Sequence, residues 1–183
     1  DEVPSRGLGD VYKRQIRELI KELNLDLKVA VVLGDDLLED KDKFLDSGVQ
    51  EMYSDEKFPE VDKIASINAY LGAFPIAQAL NDGADIVITG RSVDSAVTLA
   101  ACIHTYGWKE DEYDKLASGS LAGHIIECGT QSTGGNFTDW ELVSKNLHMI
   151  GYPIVDVSEN GEFICTKSNN CLLYTSPSPR DGT

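Results

Sequence analysis

The run A-D-I-V-I-T at residues 84–89, followed at once by G-R-S-V-D at 90–94, decides the fold class. Ile86, Val87 and Ile88 are consecutive, apolar and β-favouring, which suits a strand covered on both faces. Gly90 closes the run. From residue 93 to 106 the apolar positions then recur at helical spacing until Gly107 stops them. A buried strand handing over to a helix is the repeating unit of an α/β protein with parallel strands.

Upstream the same pattern recurs. L-K-V-A-V-V-L at 27–33 reads as a second buried strand ending at Gly34, and Asp35 and Asp36 stand where they would cap a helix running to about Asp46. Residues 50–62 are polar and contain Pro59, so they read as a loop. Residues 68–80 have a helical pattern, with Pro75 acceptable only near the first turn or at a kink, and Asn81-Asp82-Gly83 ends it. Ile16, Leu19, Ile20 and Leu23 mark an amphipathic helix at the start. Downstream, 114–128 reads as a helix weakened by Gly119 and Gly123, and a glycine-rich loop follows at 129–136. Two short strands, 153–157 and 162–166, flank Asn160-Gly161, a strong hairpin signal.

The expected fold is therefore α/β, a partial doubly wound, mostly parallel sheet with helices on both faces and a C-terminal β-hairpin at an edge or as a cover. The strands at 27–33 and 84–89 are expected to be central and parallel. Exposed apolar surface is expected where further strands would belong.

The two ends read differently from the middle. S-R-G-L-G-D-V-Y-K-R-Q at 5–15 is the translation of a DNA resembling a transposase-type sequencing-library adapter. C-L-L-Y-T-S-P-S-P-R-D at 171–181 is its reverse complement in a shifted frame. Residues 1–15 and 171–183 are accordingly taken as adapter-derived scars that pack poorly, and residues 16–170 as a fragment of a longer reading frame. Setting the ends aside removes Asp1, Glu2, Asp10 and Asp181 together with Arg6, Lys13, Arg14 and Arg180, so the net charge stays at −15. A surface this acidic repels phosphate backbones and anionic headgroups, which argues against nucleic-acid and membrane binding. No run of about 18 apolar residues suggests a membrane span. Of four cysteines, Cys102, Cys128 and Cys165 lie outside the scars. Their wide spacing suits reduced thiols and a cytoplasmic setting better than a disulfide framework.

The residues that carry chemistry fall in three places. Arg91 follows a strand directly, at the carboxyl end where α/β sheets bind ligands, and a guanidinium there suits a carboxylate or phosphate. Its bland alternative is a surface arginine. Asp94 serves either as a helix cap or as a base or orienter. The loop G-T-Q-S-T-G-G-N offers the amides of Gly129, Thr130, Gln131, Gly134 and Gly135 and the side chains of Thr130, Ser132, Thr133 and Asn136. Such a loop can cradle an oxyanion or simply connect two elements tightly. It matches neither the P-loop nor the dinucleotide fingerprint. In H-x-x-E-C, His124 and Glu127 suit an acid–base pair or satisfied polar groups on a packing face. His124 and Cys128, four apart, share a helix face as a metal pair would, but no second pair with ligand spacing follows, so the sequence assigns no metal. His104 falls at a helix end, where a cation complements the dipole. Asn68 and Tyr70 suit either a ligand contact or, for Asn68, a helix cap. No cofactor is assigned.

Residues 66–140, with the hairpin, resemble the N-terminal domain of the acyclic terpene utilisation (AtuA-type) family. The matching segments are N-A-Y-L-G-A at 68–73, G-A-D-I-V-I-T-G-R at 83–91, Asp94, and L-A-G-H-I-I-E-C-G-T-Q-S-T-G-G-N-F at 121–137. On this resemblance residues 16–170 are a partial AtuA-type α/β domain without the family's opening glycine-rich strand–turn and without everything after the hairpin. The resemblance implies a bacterial role in breaking down citronellol- and geraniol-like compounds, beside acyl-CoA carboxylation steps. It assigns no catalytic roles. Two functions follow as expectations: a catabolic enzyme acting on a small carboxylate or acyl-CoA intermediate, or a non-catalytic ligand-binding or accessory subunit of a neighbouring enzyme. The implied partners are a small anionic ligand and either further copies of the chain or acyl-CoA carboxylation enzymes.

Overall fold

The chain divides after Val93 into two compact units. The structure, a computed structural model, describes residues 5–136 and 138–168. The 171–183 scar therefore lies outside the described residues, as does Phe137.

In the first unit, helix α1 (Ser5–Glu22) precedes strand β1 (Val29–Val32). A 3-10 turn (Leu38–Asp40) leads into the short α2 (Lys41–Asp46), a second 3-10 turn spans Val61–Lys63, and α3 (Ala73–Asn81) precedes β2 (Ile86–Thr89). The crossover through α2 and α3 lets β1 and β2 pair in parallel, Val29 opposite Ile86 through Val32 opposite Thr89. Asp85 closes the start of this ladder by accepting from the Lys28 amide at 2.8 Å. Both α1 and α3 pack against both strands. Ala73, Ile76, Ala77 and Ala79 of α3 are buried.

The α/β class and the parallel pairing are as expected, but three details differ. Neither strand is buried. All four residues of each are half-buried, because a two-stranded ladder leaves apolar edges uncovered, and Leu33 beside β1 is 59% exposed. Helix α3 starts at Ala73, not at residue 68. Pro75 can occupy only the first turn without breaking the hydrogen-bond ladder, so residues 68–71 stay extended. Asn68 is therefore no helix cap; Gly72 holds that position without a side-chain bond. Asp36 does bond the chain ahead of it, accepting from the Leu38 amide at 3.0 Å, but Asp35 turns elsewhere.

The second unit contains α4 (Ala96–Tyr106), α5 (Tyr113–Cys128), a 3-10 turn (Gly129–Gln131), an irregular 3-10 segment (Trp140–Met149) and strands β3 (Pro153–Val157) and β4 (Phe163–Lys167). Gly107, at φ +65°, ends α4 by returning its amide to Ile103. The glycines that weaken α5 as an isolated helix are what lets it pack. A Cβ on Gly119 would come within 2.8 Å of Leu99 and Trp108, and one on Gly123 within 2.6 Å of the Ser95 carbonyl. Helices α4 and α5 thus meet nearly backbone to backbone, over buried Ala96, Ala100, Ile103 and Ala122. The antiparallel hairpin pairs Pro153 with Lys167 through Val157 with Phe163 and forms its own two-stranded sheet. It is fastened to the helices by polar anchors: Trp108 Nε1 donates to the Glu159 carbonyl at 2.9 Å, Tyr106 to that of Val157 at 2.5 Å, and Ser118 to that of Gly161.

Candidate functional site

In the first unit the segment 67–71 runs between the chain just past β1 and the chain just past β2. Asn68 forms a bridge with Asp36, and Leu71 forms one with Ser92. The Ala69 amide donates to the Asp35 carbonyl at 2.8 Å, and the Leu71 amide to that of Arg91 at 2.9 Å. The carboxylate of Asp35 crosses to the other side, accepting from the Arg91 amide at 2.8 Å and the Asn68 side-chain amide at 3.4 Å. Gly90 makes this possible, since any Cβ there would collide with that carboxylate. The Arg91 guanidinium lies 4.6 Å from the centre of the Tyr70 ring and donates to its hydroxyl at 3.2 Å. An exposed cation at a strand's carboxyl end is thus held by an aromatic face, with its backbone braced from two directions.

Asp35 is the member of this group that local reading assigned to helix capping. Its partners lie 33 and 56 residues away. Only the G-R dipeptide hinted at it, because a glycine at a strand end lets another group come close.

The second unit gathers Asp94, His124, Glu127 and Cys128. Ligand-competent atoms of His124, Glu127 and Cys128 all lie within 4.8 Å of one another on the last turn of α5, with His124 and Glu127 exposed and Cys128 half-buried. The spacing of three and four residues puts them on one face. Burial first, then the Glu127 charge and its hydrogen bond, then the Asp94 charge, push the Cys128 thiol above its ordinary value. Helix α4 begins at Ala96, with Ser95 at the cap position and no side-chain cap bond from it.

The glycine loop starts where α5 stops, on Gly129 at φ +57°. The hydroxyls of Ser132 and Thr133 are spent on the fold. Ser132 donates to the carbonyls of Ile125 and Gly129, and Thr133 donates to that of Gly151 at 2.6 Å. The amides of Ser132, Thr133 and Gly135 close turns within the loop. Thr130, Gln131, Gly135 and Asn136 are exposed, and Gly134 is half-buried at φ +109°. Asn68 and Arg91 thus belong to the first unit. Asp94, His124, Glu127 and the loop belong to the second.

A family model described as acyclic terpene utilisation family protein AtuA matches residues 10–171. The chain belongs to the acyclic terpene utilisation family. No curated protein and no solved structure matches it. In this AtuA-family chain the N-A-Y-L-G-A segment is the strap joining Asp35 to Arg91, and the long segment from residue 121 supplies both the His124–Cys128 cluster and the loop. Among the described residues, no helix is long and apolar enough to cross a membrane.

Proposed function

We propose that this AtuA-family chain is part of a bacterial cytoplasmic catabolic enzyme acting on a small carboxylate or acyl-CoA intermediate of branched isoprenoid breakdown. Arg91 holds the anionic group. Its five N–H donors match a carboxylate or phosphate in a plane, and stacking on Tyr70 reduces the entropy lost on binding. The observation that carries the reading is this braced, exposed guanidinium at the end of β2 in a chain of net charge −15. An anion reaching such a surface needs a local donor. Within the second unit, Asp94, or His124 paired with Glu127, suits proton transfer. Further copies of the chain or acyl-CoA carboxylation enzymes are the proposed partners.

One observation favours the second reading, an accessory ligand-binding subunit: the hydroxyls of Ser132 and Thr133 and several of the loop's amides are already bonded within the protein. Calorimetric titration with a branched acyl-CoA and with its free acid tests the first reading. The Arg91→Ala variant is expected to lose roughly 1.5–3 kcal/mol, about a tenfold to hundredfold weaker Kd, as befits a charge-assisted hydrogen bond. Unchanged affinity in that variant would remove Arg91 from the site. Tight binding without turnover of any such ligand would favour the accessory role.

A further inference from the structure

We propose that His124, Glu127 and Cys128 form a binding site for one first-row divalent cation of the zinc type. Imidazole nitrogen, carboxylate oxygen and thiolate sulfur are the three donors that zinc takes, and here they come from a single helical turn. A tetrahedral ion with ordinary bond lengths would set its ligand atoms roughly 3.3–3.8 Å apart. The observed limit of 4.8 Å exceeds that by about a side-chain rotation, and the exposure of His124 and Glu127 leaves both free to rotate without disturbing the core.

The backbone is well placed to hold the set. Cys128 ends α5, which Gly119 and Gly123 press against α4, and Tyr152 donates to the Ile126 carbonyl at 2.6 Å. Two of the three ligands are anionic when metallated, which suits a divalent cation. Three protein ligands leave one coordination position open to water or a ligand, the pattern of reactive rather than purely structural zinc sites. With the ion bound, His124 and Glu127 no longer serve as a free acid–base pair, and proton handling rests on Asp94. The site itself does not depend on the identity of the acyl ligand.

Cobalt(II) titration of the reduced chain, with no organic ligand present, tests this directly. Saturation at one equivalent is expected, with a thiolate-to-cobalt charge-transfer band in the near ultraviolet that zinc(II) abolishes. Cys128→Ser should lose the band, and His124→Ala and Glu127→Gln should each weaken binding by at least about tenfold. Binding without the band overturns the proposal, because only surface carboxylates would then be engaged. A band that survives Cys128→Ser also overturns it, placing the ion at another cysteine. Should circular dichroism show Cys128→Ser to be unfolded, the exposed His124→Ala variant decides, and unchanged cobalt affinity there refutes the site.

Discussion

Gly123 shows how a single missing Cβ shapes the second unit. The nearest atoms to a Cβ there are the carbonyl oxygen, Cα and Cβ of Ser95, at 2.6, 3.0 and 3.0 Å. Two of these are backbone, so relief requires moving α4 rather than rotating a side chain. Gly123→Ala is expected to destabilise the chain by about 1–3 kcal/mol, an overpacking penalty that outweighs alanine's better helix propensity. Gly72 provides the contrast, with nothing within 4 Å of its Cβ position. Gly72→Ala should stay within about 0.5 kcal/mol of the parent. Denaturant unfolding of the two variants checks both figures, and equal stabilities would show that the close approach of the helices carries no energetic weight. Both glycines were visible in the sequence, but only Gly123 has a neighbour, and that neighbour is 28 positions away.

At the scale of the element, α5 depends on Glu112 just before its first turn. Its carboxylate accepts from the Lys109 amide at 2.7 Å and from the Lys115 ammonium at 2.6 Å. The Lys115 hydrogen bond, then the Lys109 amide, hold this carboxyl below its ordinary value of 4.5. A depressed folded-state value means that the stabilisation is complete above pH 4.5 and is lost as pH falls through the folded value. The Tm advantage of the parent over Glu112→Gln should therefore be constant above pH 4.5 and shrink in more acidic solution. A difference that does not change with pH would assign the effect to shape rather than charge. The arrangement joins a negative group to a helix N-terminus, which the dipole also favours. The sequence marks the helix start only approximately, at residue 114 instead of Tyr113, because the bond from Lys109 comes from a loop that has no periodicity to read.

For the whole molecule, 31 acidic against 16 basic side chains make self-repulsion a standing cost. The Debye length is about 8 Å at physiological ionic strength and about 30 Å at 0.01 M, so added salt should raise Tm. A Tm that is flat or falls with salt would mean that specific ion pairs such as Lys115–Glu112 outweigh the net charge. The sequence alone determined the strand positions, the helix stops at Gly107 and Gly129, the hairpin about Asn160-Gly161, and the family. Each depends on local periodicity, on glycine's freedom at positive φ, or on a contiguous motif. Only the tertiary structure decided that residues 68–71 extend between the strand ends, and that Asp35 serves Arg91 instead of a helix. It likewise brought the Asp94 charge to bear on Cys128, whose place beside His124 and Glu127 follows from the helical repeat alone. A carboxylate has the same local preferences whether its partner is two residues ahead or 56 away. The choice belongs to whichever donor the folded chain brings within 3 Å, and no short window of sequence contains that donor.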